Sequence, residues 1–179
     1  MKSRTFRRTF ALVAEKQISE VPKVALLLLA LALPAAAQKP TIQLIPFTSA
    51  LIPAADACGF DVLFTPQAGR PNRERVIQFA NTSIIAGPLF VIAKNLSTGR
   101  TIDVNISGPY QFSLSGNTTI AVFTGPSIQP LPANILTAAG LPPLPLIHGQ
   151  IAFTVDDQGN VTSIQRVTGT VKDVCQLLQ

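Results

Sequence analysis

The chain has 179 residues, of which 47% are hydrophobic, and this size suits one domain with a single core. Its 14 cationic and 9 acidic side chains give a net charge of +5, but six of the cations precede residue 24. The rest of the chain has eight cations against seven acids, so its charge does not indicate a nucleic-acid partner.

The first predicted element is an export signal. Lys23 precedes an apolar run over residues 24–33, Pro34 follows it, and three alanines end the segment at Ala37. Small residues after such a run are typical of a cleavage site, so we expect a signal peptide over 1–37, cleaved near Ala37, and a secreted protein.

The same apolar stretch is too short for a membrane anchor. It ends at Ala37 and is shorter than the roughly twenty residues that cross a bilayer, so we expect no stable membrane span. The polar segment before it is long for an export signal, which favours Val21 as the true start and residues 1–20 as a mis-annotated start.

The next segment, residues 38–57, is predicted to be an extended lead-in. It contains Pro40, Pro46 and Pro53, and each proline removes a backbone donor. A short edge strand at 41–45 is compatible with this spacing.

From residue 58 the chain shows the two-residue period of β-strands. Apolar and polar side chains alternate in CGFDVLFTP, RTIDVNISG and YQFSLS, and again over 151–155. Glycines eight to twelve residues apart separate these strands, and Gly-Pro pairs at 87–88, 108–109 and 125–126 predict sharp bends. We therefore predict an all-β fold over 58–179, an antiparallel meander closed as a small β-barrel or folded as a β-sandwich.

A long proline-rich loop interrupts this pattern at residues 126–145. Six prolines exclude regular structure there, except for one helical turn around 133–139. Such a loop is either a lid or recognition loop, or an apolar plug. The plug would cover one open end of the barrel with Leu131, Leu136, Leu141, Leu144 and Leu146. Its apolar composition favours the plug.

The two cysteines, Cys58 and Cys175, predict a disulfide. In an exported protein an even pair is most simply bonded, and here it would join the first convincing strand to the end of the chain. Two cysteines and one histidine fall short of a zinc site, and no glycine-rich phosphate loop is present, so we expect no metal and no cofactor.

Two further side chains are candidates for a ligand site, Tyr110 and His148. His148 is the single histidine, but the chain has no serine-nucleophile motif, so we assign no catalytic residue. If a closed barrel encloses a cavity, either side chain would suit a small apolar ligand.

Polar turns leave two more alternatives open. Asp156 and Asp157 precede Gly159 and Asn160, a combination that favours a hairpin over a calcium loop. Glycosylation sequons occur at Asn81, Asn95, Asn105, Asn117 and Asn160, and threonine-rich strands next to asparagine turns produce the same tripeptides without any glycan.

Three stretches, CGFDVLFTP, NLSTGRTIDVNISGP and GTVKDVCQLL, resemble a group of small secreted proteins of actinobacteria and related soil bacteria. That resemblance covers nearly the whole mature chain and implies export, a β fold and pairing of the two cysteines. It implies no activity, because the shared motifs are turns without catalytic side chains.

We therefore expect a secreted, non-enzymatic module that binds a cell-surface partner or serves a structural role in the envelope. The alternative is a β-barrel that holds a small apolar ligand, with isomerase-like or cyclase-like chemistry. The chain has no tryptophan and one tyrosine, which disfavours the aromatic platform of a carbohydrate-binding module.

Overall fold

The computed structural model describes residues 39–116 and 118–179, and the strands in this part of the chain form two antiparallel sheets. The prediction of a mostly β, antiparallel fold is confirmed. The predicted signal peptide, its cleavage site and the alternative start at Val21 lie outside the described residues.

The strands are divided between a seven-stranded and a four-stranded sheet. The larger has the order β1 (Thr41–Pro46), β4 (Arg73–Gln78), β5 (Thr82–Ala86), β8 (Tyr110–Ser115), β9 (Thr118–Ile128), β10 (Pro145–Val155) and β11 (Val161–Asp173). The smaller has the order β2 (Ala50–Ile52), β3 (Val62–Pro66), β6 (Phe90–Asn95) and β7 (Thr101–Asn105). A 3-10 helix (Ala54–Asp56) and the helices α1 (Ala133–Ala138) and α2 (Val174–Leu177) complete the described elements.

The predicted meander is found in β8 to β11, which are successive neighbours, while earlier the chain passes repeatedly between the sheets. Two of the predicted Gly-Pro bends lie at such passages, one between β5 and β6 and one between β7 and β8. The third prediction is wrong, because Gly125 and Pro126 lie inside β9, opposite Gly149 and His148 of β10. Gly125 adopts a φ of 88° there, a conformation that residues other than glycine rarely adopt.

Two hydrophobic cores form, and alternate side chains of β10 belong to different ones, as the pleat requires. The first core joins the four-stranded sheet to β10 and the C-terminal segment; its buried members include Val62, Phe64, Val91, Ala93, Val104, Leu146, Val174 and Leu178. The second lies under α1 and includes Ala121, Leu131, Leu136, Ile147, Ile151 and Phe153. The first core therefore unites side chains from both sheets.

The proline-rich segment is largely buried. α1 occupies the predicted helical turn, and Leu136 within it is fully enclosed by the second core. Leu131, Leu144 and Leu146 are also buried, and Leu141 packs against the second core. These positions are the ones that the plug interpretation expects.

Glycines permit a close approach between the backbones of β10 and β11. Gly149 lies directly opposite Gly169, and a Cβ atom on Gly149 would collide with the carbonyl of Thr168. Since the obstructing atom belongs to the backbone, the strands themselves would have to move to admit even a methyl group.

We expect the substitution Gly149→Ala to lower the free energy of unfolding by about 2 kcal/mol, because overpacking forces backbone shifts. Urea titration measures this loss. The control is Gly99→Ala. Gly99 has a φ of 77°, and a Cβ atom there would meet no other atom, so this substitution should lower the free energy of unfolding by about 1 kcal/mol through backbone strain alone. A loss for Gly149→Ala no larger than that of the control would contradict the steric explanation.

Candidate functional site

The predicted disulfide between Cys58 and Cys175 is present. The two Cα atoms are 5.1 Å apart, and the bond closes a sequence separation of 117 residues. Cys175 is buried in α2, and its N–H donates to Oδ1 of Asp173 over 2.9 Å, which caps that short helix. The bond is typical of an oxidising, extracellular compartment.

Asn95 links the turn between β6 and β7 to the C-terminal segment through side-chain hydrogen bonds. Its side chain is 2% exposed, and its Oδ1 accepts hydrogen bonds from the N–H groups of Ser97 and Thr98 and from the Ser97 hydroxyl. Its Nδ2 donates to the carbonyl of Leu178 over 3.1 Å. Because both ends of the amide are engaged and buried, Asn95 has a structural role, whereas sequence reasoning singled it out only as part of a sequon.

The two candidate ligand residues lie on opposite faces of the seven-stranded sheet. Tyr110 is opposite Phe123 on β9, which in turn is opposite Ile151 on β10. His148 lies three residues before Ile151, and this odd offset directs its exposed side chain to the other face. The structure therefore does not bring Tyr110 and His148 together.

Tyr110 belongs to a row of aromatic rings on one face of the sheet. Its ring centroid is 4.4 Å from that of Phe123, which lies 5.2 Å from Phe153 and 6.1 Å from Phe112. Tyr110, Phe112 and Phe123 are half-buried, so part of this aromatic row faces solvent. The Tyr110 hydroxyl makes one long hydrogen bond, 3.4 Å to the carbonyl of Ile106.

Burial raises the pKa of Tyr110 to about 12, with a smaller contribution from the negative charge of Glu74. Burial also raises the pKa of Glu74 itself. Both shifts have the same main cause, because removal from water disfavours the charged form of each side chain.

We expect the near-ultraviolet absorbance of tyrosinate to appear with a midpoint of about 12 in the folded protein. Tyr110 is the single tyrosine and the chain lacks tryptophan, so the signal has one source. A raised pKa means that the stability contributed by Tyr110 is complete below pH 10 and is lost as the pH rises towards 12. Glu74→Gln should lower the midpoint modestly, whereas a wild-type midpoint of 10 would contradict the burial of the ring.

β1 forms one edge of the seven-stranded sheet and is exposed along its whole length. Ile42 and Leu44 are 64% and 55% exposed, and Ile45 on the opposite face is also exposed. The strand has no charged residue, and it pairs with β4 in an unbroken register from Thr41 to Pro46. No described strand pairs with its outer side.

A surface groove of about 390 Å³ lies at the start of β1, beside the turn between β4 and β5. Its lining residues are Lys39, Thr41, Gln78, Phe79 and Ala80. Neither Tyr110 nor His148 contributes to it. The groove and the exposed strand are therefore next to each other at the same end of the sheet.

Two buried polar atoms lie close to the second core, and sequence reasoning did not identify them. They are Oγ of Ser127 and Nε2 of Gln129, and both lack a hydrogen-bond partner among the described residues. Ser127 is opposite Ile147 on β10, and the N–H of Gln129 donates to the carbonyl of Pro145. Both residues lie between Pro126 and Pro130, and nothing in that short sequence predicts that their polar side chains are buried.

Asp156 organises the hairpin between β10 and β11, as predicted. The N–H of Asn160 donates to its Oδ1 over 2.8 Å, and this bond is the main cause that lowers the pKa of Asp156 below its usual value. Gly159 adopts a φ of 83° in the same turn. Over the described residues, no group of three or more His, Cys, Asp or Glu side chains is arranged to hold a metal ion.

Comparisons with known proteins found no matching family model, and no curated protein or solved structure is significantly similar to the chain. Among the described residues, no helix has the length and apolar character needed to cross a membrane. The resemblance to small secreted bacterial proteins therefore stays a prediction.

Proposed function

We propose that the protein is a secreted, non-enzymatic interaction module that binds an extended polypeptide segment along β1. The observation that carries this proposal is the exposure of all six residues of β1 at an edge of the sheet. An exposed edge strand has unpaired N–H and C=O groups that an added strand can bind.

Among the described residues, the outer edge of β1 between Pro40 and Pro46 has little of the usual protection against such pairing. Natural edge strands are blunted by charges, prolines, bulges, short length or a covering segment, and in β1 the prolines stand only at the two ends. β1 carries no charge and makes six regular pairs with β4, and its exposed side chains are aliphatic. An added strand would therefore gain backbone hydrogen bonds together with apolar contacts to Ile42 and Leu44.

The architecture that we propose for this module is a β-sandwich with the proline-rich loop as a plug. Its support is the first core, in which Val62 and Val91 of the smaller sheet cluster with Leu146 of the larger one. A sandwich leaves the edge strands of both sheets in place, whereas a closed barrel would remove them.

The test uses the full chain expressed with its own leader and recovered from the extracellular fraction. The probe is a capped TVTVTV peptide, which offers a neutral extended backbone. We expect saturable binding that slows amide hydrogen exchange at Ile42 and Leu44. Leu44→Lys should weaken binding about tenfold, since it places a charge within the apolar contact.

The matched control for this test is Leu114→Lys. Leu114 is 59% exposed, similar to Leu44, but it lies on β8 in the interior of the sheet order. Binding that is equally weakened by both variants, or an absence of protection at Ile42 and Leu44, would contradict the proposed site.

A second candidate function, the binding of a small apolar ligand, is favoured by the half-buried aromatic row. Tyr110 and Phe123 combine an apolar surface with one hydroxyl whose single hydrogen bond is long, so a ligand would gain ring contacts and one polar anchor. His148 lies on the other face and would not contribute to that site.

Fluorescence of Tyr110 tests this second function directly. We expect 1-decanol to cause a saturable change in tyrosine emission if the aromatic row binds apolar ligands, and Phe123→Ala to abolish the change. Phe79→Ala is the control, because Phe79 is an exposed ring in the turn after β4. A flat titration of the wild-type protein would exclude this candidate.

A further inference from the structure

We infer that the segment bound along β1 is β1 of a second copy of this chain, paired antiparallel about a two-fold axis through Gln43. This inference rests on the proposed function, since it names the partner of the same edge. It would join two seven-stranded sheets into one continuous sheet.

The backbone groups that β1 presents outward follow from its pairing with β4. The N–H of Phe47 donates to the carbonyl of Asn72 on the β4 side, over 3.3 Å. Since backbone groups alternate in direction along a strand, the odd-numbered residues of β1 face β4 and the even-numbered ones face outward. Ile42 and Leu44 therefore present both an N–H and a C=O at the free edge.

This arrangement selects one register for self-pairing. With the axis at Gln43, Ile42 lies opposite Leu44 of the second copy, and both of these symmetry-related pairs exchange two backbone hydrogen bonds. If the axis passed through Leu44 instead, Ile42 would lie opposite Pro46 of the second copy. The carbonyl of Ile42 would then stay unpaired, because the nitrogen of Pro46 has no hydrogen to donate. The register at Gln43 satisfies every outward N–H and C=O of Ile42 and Leu44.

The prolines limit the length of this ladder. In the register at Gln43, Pro40 of one copy lies opposite Pro46 of the other, and neither has an N–H to continue the pairing. The sheet is therefore extended by one short strand pair, and the prolines oppose a slip to a longer register.

The side chains on the Ile42 face of β1 suit a second copy. Ile42 would contact Leu44 of the second copy, and the apolar row continues inward to Ile77, which is opposite Ile42 on β4. The chain is uncharged from Pro40 to Ala55, so two copies meet without like charges at the pairing strand.

Charge complementarity extends to the end of the strand. Lys39 and Thr41 line the same groove, and Thr41 is on the same face as Ile45, which is opposite Glu74 on β4. In the proposed dimer Thr41 lies opposite Ile45 of the second copy, which places the cation of Lys39, two residues away, on the side of that copy's Glu74.

The experiment is sedimentation velocity over a range of concentrations, with the full chain processed from its own leader, for the wild type, Leu44→Lys and Leu114→Lys. We expect a reversible dimer for the wild type and for Leu114→Lys, and a dissociation constant at least about tenfold higher for Leu44→Lys. Amide exchange at Ile42 and Leu44 should slow as concentration rises, whereas exchange at Gln43, whose N–H faces β4, should not change.

A monomer at every concentration, or a dimer that Leu44→Lys leaves intact, would overturn the inference. The TVTVTV peptide separates these failures from failure of the proposed function. If the peptide binds β1 of a monomeric protein, the edge recognises another chain and only the self-pairing is wrong. If neither the peptide nor a second copy binds, the proposed function is wrong as well.

Discussion

Removal of the Cys58–Cys175 bond is expected to lower the free energy of unfolding by about 4 kcal/mol. The bond closes a loop with a separation of 117 residues, and the chain-entropy model assigns about 4 to 5 kcal/mol to such a loop, as an upper figure. The double variant Cys58→Ala, Cys175→Ala removes the bond without leaving a reactive thiol. Guanidinium unfolding of this variant and of the oxidised wild type measures the difference.

Reduced wild-type protein is the control for the double variant, since it lacks the bond but keeps both sulfur atoms. The two should unfold at similar denaturant concentrations if loss of the bond accounts for the effect. A loss below about 1 kcal/mol in both would show that packing of the C-terminal segment, and not the bond, holds the two ends together.

Replacement of Asn95 by alanine is expected to cost about 3 kcal/mol. The change leaves the carbonyl of Leu178 without its donor and removes the acceptor for the N–H groups of Ser97 and Thr98. A buried polar group without a partner costs about 1 to 3 kcal/mol, and the lost turn bonds add to this. Thermal and urea unfolding of the variant measure the loss.

Asn105 provides a matched control for the Asn95 substitution. Asn105 accepts hydrogen bonds from the N–H and hydroxyl of Ser107, the same turn geometry, but its side chain is exposed. We expect Asn105→Ala to cost less than about 1 kcal/mol. Equal losses at the two positions would mean that the link from Asn95 to Leu178 contributes nothing.

Much of the local structure was predictable because it depends on neighbouring residues. The alternation in RTIDVNISG predicts β7, which runs from Thr101 to Asn105, and the turn at Gly99 has the positive φ that its sequence requires. The disulfide was predictable for a different reason: export and an even number of cysteines leave few alternatives to Cys58 pairing with Cys175.

The division into two sheets was not predictable from these patterns. A two-residue period shows which side chains share a face, but it does not identify the neighbouring strand. The Gly-Pro pair at 87–88 accompanies a change of sheet, whereas the same dipeptide at 125–126 lies inside β9, where it pairs with β10. Only the pairing of distant strands distinguishes these two cases.

The candidate site was predictable in part. A short edge strand at 41–45 follows from its flanking prolines, and β1 lies there. Its exposure depends on which strands cover it, and this is a property of the whole fold. The same holds for Tyr110 and His148, because strand register alone decides that their side chains lie on opposite faces.

Amide hydrogen exchange, measured residue by residue along β1, tests directly whether the outer edge of that strand is a binding surface. We expect the N–H groups of Ile42 and Leu44 to exchange rapidly in dilute protein and to become protected when a second copy or the extended peptide is added. The N–H of Gln43 should stay protected throughout, since it is paired with β4. Exchange at Ile42 and Leu44 that stays rapid under every condition would contradict the claim.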